Sequence, residues 1–126
     1  MNCLSFDVGG TTVKYGVIDK SYKILKKDKI PTPVNEEKFI DSLSNIIQEN
    51  LSNISEVSIA MPGYVDSSNN KYLYGPHLQF DIDFLKLSNF ADYKFHLDND
   101  GNVAAYCEYF LNYKNKYSNL IMLTFG

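Results

Sequence analysis

Apolar and polar positions along the chain change their period several times, and each change marks an element. Residues 3–8 (Cys-Leu-Ser-Phe-Asp-Val) form a short β-rich run that stops at Gly9-Gly10, and residues 13–18 resume it. The pair predicts a hairpin. After Asp19-Lys20-Ser21, residues 22–30 alternate apolar side chains with lysine or aspartate, which predicts a third antiparallel strand with one wet face. Its lysines, Lys20, Lys23, Lys26, Lys27 and Lys29, read as a solvated strand face and not as a binding patch. Pro31-Thr32-Pro33 ends the strand, and Asn35 followed by Glu36-Glu37 offers a helix cap with negative charge in the first turn. Phe39, Ile40, Leu43, Ile46, Ile47 and Leu51 then recur at three- and four-residue steps, the stripe of a helix lying on a sheet.

Residues 57–61 (Val-Ser-Ile-Ala-Met) read as a buried strand ended by Pro62-Gly63. A polar stretch over residues 66–76 carries turn chemistry at Ser67-Ser68-Asn69-Asn70, so a small hairpin is expected there. Residues 77–92 read as a connection with a short helix and residues 93–97 as a strand. A helix follows from Asn102 to about Tyr113, with Val103, Ala104, Cys107, Phe110 and Leu111 on one face, and residues 120–125 read as a last apolar strand. A meander of strands followed by α/β units implies an α/β fold: a mixed sheet with three antiparallel N-terminal strands and helices on its faces. That is the layout of a ribonuclease H-like, or actin-like ATPase, lobe.

Composition narrows the function classes. The chain has 126 residues, which suits one domain with a core of its own, and 15 acidic against 12 basic side chains give no excess that would draw it to nucleic acid or an anionic bilayer. Cys3 and Cys107 lack CxxC spacing and fit reduced thiols in a cytoplasmic protein, with no zinc cluster. No apolar run approaches the roughly 18 residues of a membrane span.

Two segments carry candidate chemistry. In Asp7-Val8-Gly9-Gly10-Thr11-Thr12-Val13-Lys14, glycines in the turn free the backbone to take unusual dihedrals and present N–H groups to an anion. Thr11 and Thr12 add hydroxyls, Lys14 adds charge, and Asp7 is placed to hold a metal ion through water. The turn is neither a Walker loop nor a dinucleotide fingerprint, because it leads into a strand. A plain tight hairpin is the competing reading. The second segment, Leu97-Asp98-Asn99-Asp100-Gly101-Asn102, lies where a strand gives way to a helix, and its polar side chains suit capping. It is also where α/β sheets place ligands; a carboxylate there can take the proton of a sugar hydroxyl, and the adjacent amide can bind two hydroxyls at once.

Asp7-x-Gly9-Gly10-Thr11-Thr12-x-Lys14, Met61-Pro62-Gly63-Tyr64-Val65-Asp66, Asn99-Asp100-Gly101-Asn102-Val103-Ala104-Ala105 with Glu108, and Leu123-Thr124-Phe125-Gly126 together resemble successive motifs of the ROK (repressor, ORF, kinase) family of sugar kinases. The resemblance implies ATP-dependent phosphorylation of a hexose or N-acetylhexosamine. It implies ATP-phosphate contacts by Gly9, Gly10, Thr11, Thr12 and Lys14, with Asp7 near Mg²⁺. It also implies sugar contact by Asn99 and through the Gly63 backbone, with Asp100 as general base. His77, in Pro76-His77-Leu78 where many members have Pro-Asn-Leu, is favoured as a surface loop histidine, with a sugar contact as the alternative. Residues 1–118 would form the N-terminal lobe and residues 119–126 the first strand of a second one. That second lobe would bring a further phosphate loop, more sugar ligands and, in many members, zinc. The expected partners are sugar and ATP, the full-length protein being a homodimer, and this portion alone is expected to be inactive. The alternatives are a non-catalytic sugar sensor or transcriptional regulator of the same family, the repressor branch being disfavoured because the first strand begins at residue 3, and an actin-like assembly ATPase.

Overall fold

The computed structural model describes residues 2–90, 92–108, 111–112, 114–119 and 121–123. Strands β1 (Asn2–Val8), β2 (Thr12–Ile18) and β3 (Ile24–Pro31) form the expected antiparallel meander. Helix α1 (Glu36–Asn50) crosses over and returns the chain, through a short helical turn, to β4 (Ile54–Met61), which runs parallel to β1. A hairpin, β5 (Tyr64–Asp66) and β6 (Lys71–Tyr74), turns at residues 67–70 as its sequence predicts, and β7 (Ile82–Asp83) joins it. Short helix α2 (Leu85–Ser88), β8 (Lys94–Asn99) and α3 (Asp100–Glu108) complete the described elements. Two sheets result, one ordered β3-β2-β1-β4-β8 and one ordered β5-β6-β7.

Alternation along the large sheet separates its faces. Leu4, Phe6 and Val8 of β1, Val13 and Val17 of β2, Val57, Ile59 and Met61 of β4 and Leu97 of β8 are buried on one side. Against them lie Phe39, Ile40, Leu43, Ile46 and Ile47 of α1, the stripe read from the sequence, joined by Leu78, Ile82, Phe84, Leu87 and Tyr93 of the later connection. Phe39 meets Phe84 edge to face at 6.0 Å, which ties α1 to that connection. Asn50, the one buried polar residue among those described, donates its amide to the Ile46 carbonyl at 2.8 Å. The cap is as expected: the Asn35 side chain accepts from Lys38 N at 2.8 Å. Asn35→Ala is expected to cost about 1 kcal/mol, read as a lower urea midpoint at unchanged slope.

Four expectations are corrected. β3 is exposed along both faces except at Ile30, because it is the sheet's edge; its lysines then serve as edge charges. Tyr22 belongs to the preceding turn, at φ 67°, not to the strand. The expected apolar face of the last helix is not covered: Val103, Ala104 and Cys107 are exposed on α3, while Phe110 lies outside the described residues. Of the strand expected over residues 120–125, only Ile121, Met122 and Leu123 are described. They are exposed and join neither sheet, since a strand exists only where a ladder partner is present.

Candidate functional site

β1, β4 and β8 run parallel, so their carboxyl ends meet at one edge of the sheet. Three connections leave from that edge: the turn after Val8, the bend after Met61 and the junction at Asn99. Open α/β sheets place ligands there, because the strand ends leave backbone groups and polar loops around a crevice.

The first turn closes when Gly9 N–H donates to the Thr12 carbonyl at 2.9 Å, which leaves Gly10 and Thr11 exposed at its tip. Neither Gly9 nor Gly10 has a positive φ, so the expected special dihedrals are absent. What requires glycine is closeness: a Cβ on Gly10 would lie 3.1 Å from the His77 Cβ, and one on Gly9 would lie 3.0 Å from the Thr12 carbonyl oxygen. From the other side Thr32 holds the turn, its hydroxyl donating to the Gly9 carbonyl at 2.7 Å and its N–H to the Thr11 carbonyl at 2.9 Å.

The sheet register sets a row of side chains on the face that α1 leaves open. Lys14 pairs with Asp7, Asp7 with Ala60 and Ala60 with Asp98. Paired residues share a face, so two carboxylates flank the small Ala60 side chain with the lysine beyond Asp7. Two strand spacings put the Asp7 and Asp98 backbones about 10 Å apart. No third ligand stands between them, only the Ala60 methyl. That arrangement suits Mg²⁺, which keeps most of its water and takes one or two carboxylates together with phosphate oxygens. Among the described residues no group of three or more His, Cys, Asp and Glu side chains could hold a metal by itself.

At the third connection the Asn99 side chain is heavily committed. Its Nδ2 donates to the Gly63 carbonyl at 2.7 Å, and its Oδ1 accepts from Gly101 N at 2.9 Å and from Asn102 N at 3.2 Å. Asn99 is therefore the cap of α3. One of its two amide hydrogens is used, so in this arrangement it can offer one donor to a ligand, not contacts to two hydroxyls. Asp100 is exposed at the start of α3, and its Oδ1 accepts from Gly101 N at 2.8 Å. Asp98 braces the same junction, accepting from Asn99 N at 2.7 Å and from Asn102 Nδ2 at 3.2 Å.

Gly63 has φ 143°, a conformation open in practice to glycine alone. A Cβ there would lie 2.5 Å from the Tyr74 carbonyl oxygen and 2.9 Å from the Gly75 Cα. Tyr72 supports this crossing from beneath: its hydroxyl donates to the Pro62 carbonyl at 3.3 Å, and burial pushes its phenol up from the ordinary value. The segment from Gly75 to His77 thus touches both the Gly63 bend and the first turn, joining the two candidate segments.

On the open face of the sheet lies a hollow of about 910 Å³, bordered among others by Asp7, Lys14, Asp98, Asp100, Val103 and Cys107. The structure therefore brings Asp7, Lys14 and Asp100 to one hollow, and separately brings Asn99 to Gly63. Gly9, Gly10, Thr11, Thr12, Gly63 and Asn99 are not among its described lining; they stand along the carboxyl edge. Sequence reading gave Asp98 only a share in capping the following helix and Thr32 only a place in the segment that ends the third strand. For Asp98 the available signal was its place in a strand two residues after His96; for Thr32 none exists in the local pattern, because its partners lie more than 20 residues earlier.

The sequence profile of the ROK family matches residues 3–126. Over 98% of this chain, the glucokinase of Streptomyces coelicolor is 28% identical and the N-acetylmannosamine kinase of Vibrio cholerae 26% identical. The chain spans about two fifths of the length of these curated relatives, 40% and 44%. A ROK family glucokinase from Streptomyces griseus, solved with glucose and AMPPNP, superposes with a TM-score of 0.74 at 26% identity, over 86% of this chain and 36% of that one. The mixed sheet is accordingly an actin-like ATPase lobe. No helix among the described residues is long and apolar enough to cross a membrane.

Proposed function

Because the chain belongs to the ROK family, we propose that it forms the N-terminal lobe of an ATP-dependent kinase acting on a hexose or N-acetylhexosamine. One observation carries the reading: Asp7, Lys14 and Asp100 border a single hollow on the face of the sheet that α1 leaves open, beside the carboxyl ends of three parallel strands. Phosphoryl transfer asks a protein mainly to position two substrates and to offset charge. In this reading the first turn and Lys14 receive the phosphates of ATP. Asp7, with Asp98 across Ala60, holds Mg²⁺ through water, and the ion when bound offsets charge on those phosphates. Asn99 and the Gly63 backbone orient the sugar, and Asp100 accepts the proton of the attacking hydroxyl. Asp100 is exposed, so its carboxylate needs no special environment; it needs hydrogen-bonding reach.

The chain alone is expected to bind without turnover, since half a cleft does not clamp two substrates together. Titrating AMPPNP with Mg²⁺, then glucose or N-acetylmannosamine, into the 126-residue chain tests the reading by calorimetry. Lys14→Ala is expected to weaken nucleotide binding roughly tenfold or more, the worth of a charge-assisted contact, with sugar binding unchanged. Sugar binding without any nucleotide binding would favour a sugar-sensing protein instead.

A further inference from the structure

Resting on the phosphate reading of the first turn, we infer that Thr32 is a positioning residue for nucleotide binding, aiming the Gly10 N–H at the anion. A trans peptide is planar, so its C=O and N–H point in opposite directions. The Gly9 carbonyl is drawn to the Thr32 hydroxyl at 2.7 Å. The N–H on the same peptide, that of Gly10, therefore points away from Thr32, at the exposed tip of the turn. Without that bond the Gly9–Gly10 peptide has little to fix it: neither residue carries a Cβ, and rotating the plane costs a glycine pair less than any other. A donor free to swing meets an anion only part of the time, whereas a fixed donor is already in place when the anion arrives.

The flanking sequence makes Thr32 suited to this task. Pro31 and Pro33 lack N–H groups, so in this three-residue segment Thr32 holds the sole backbone donor, and that donor reaches the Thr11 carbonyl at 2.9 Å. Pro33 also keeps the residue before it extended, so the Thr32 backbone is set before the turn engages it. Two bonds from one stiff residue thus grip the carbonyls on both sides of the tip. Thr32 is half-buried and lies behind the turn, away from its exposed face, so it acts through the backbone of the turn.

The test compares Thr32→Val, which keeps the shape and removes the hydroxyl, with Thr32→Ser, which keeps the hydroxyl. AMPPNP with Mg²⁺ is titrated into each chain, with affinity read by calorimetry and the amides by ¹⁵N spectra. Wild type and Thr32→Ser are expected to bind alike, with the Gly10 amide among the resonances that move most. Thr32→Val is expected to bind about tenfold more weakly, with resonances away from the turn unmoved and sugar affinity unchanged. Equal affinity in Thr32→Val, an equal loss in Thr32→Ser, or a wild-type Gly10 amide that does not move overturns the inference and leaves the phosphate reading standing. A wild-type chain that binds no nucleotide removes both.

Discussion

Replacing Asp100 by asparagine in the kinase that contains this lobe is expected to lower kcat about 10²–10⁴-fold, the usual worth of a general base, with sugar affinity held within about twofold. Asparagine keeps the shape and the oxygen that accepts from Gly101 N at 2.8 Å, so the start of α3 should remain intact. What it loses is the capacity to take a proton. Asn99 next door keeps both its cap and its bond to Gly63, so the sugar-orienting side of the junction should survive the change. A coupled ADP-release assay measures the rate, and equilibrium titration with sugar measures the affinity. Turnover within tenfold of wild type removes Asp100 from the base role; a parallel loss of sugar binding makes it a contact residue instead.

Gly63→Ala is expected to destabilise the chain by about 3 kcal/mol or more, from forced backbone strain and collision together. At φ 143° an alanine is strained whatever the space, and its Cβ would stand 2.5 Å from the Tyr74 carbonyl oxygen. Relief requires the β5–β6 hairpin to back away from the bend, and that motion pulls the Gly63 carbonyl from Asn99. The expected readout is a thermal midpoint lower by roughly 10 °C or more, together with a changed α3 signature in the amide spectrum. A midpoint within 2 °C of wild type would show that the crossing of the Gly63 and Gly75 backbones yields easily. Asn35→Ala, by contrast, should lower stability without disturbing Asn99, because its bond to Lys38 N is local to α1.

The regular elements were legible because their causes are local. The stripe from Phe39 to Ile47 has only one arrangement that buries it, and the Asn35 cap needs nothing beyond Lys38. The hairpin at residues 67–70 is likewise written in its turn residues, where the Asp66 side chain accepts from Asn69 Nδ2 at 2.7 Å and this bond holds its carboxyl below the usual range. The last helix shows the limit. Its apolar positions predicted a buried face, yet Val103 and Cys107 border an open hollow, since periodicity says which side chains share a side and not whether anything covers it.

The sequence by itself determined the order of elements, the mixed sheet and the residue types able to meet phosphate, metal and sugar, because alternation, capping and turn chemistry act over a few residues. Tertiary structure alone decided how those residues meet. Parallel pairing of β1 with β4 and of β4 with β8 aligns Asp7, Ala60 and Asp98 across more than 90 residues of chain, and long-range bonds give Thr32 to the first turn and Asn99 to Gly63. Such contacts depend on which strand lies beside which, a matter settled by burying the whole apolar face at once and not by any single segment's preference.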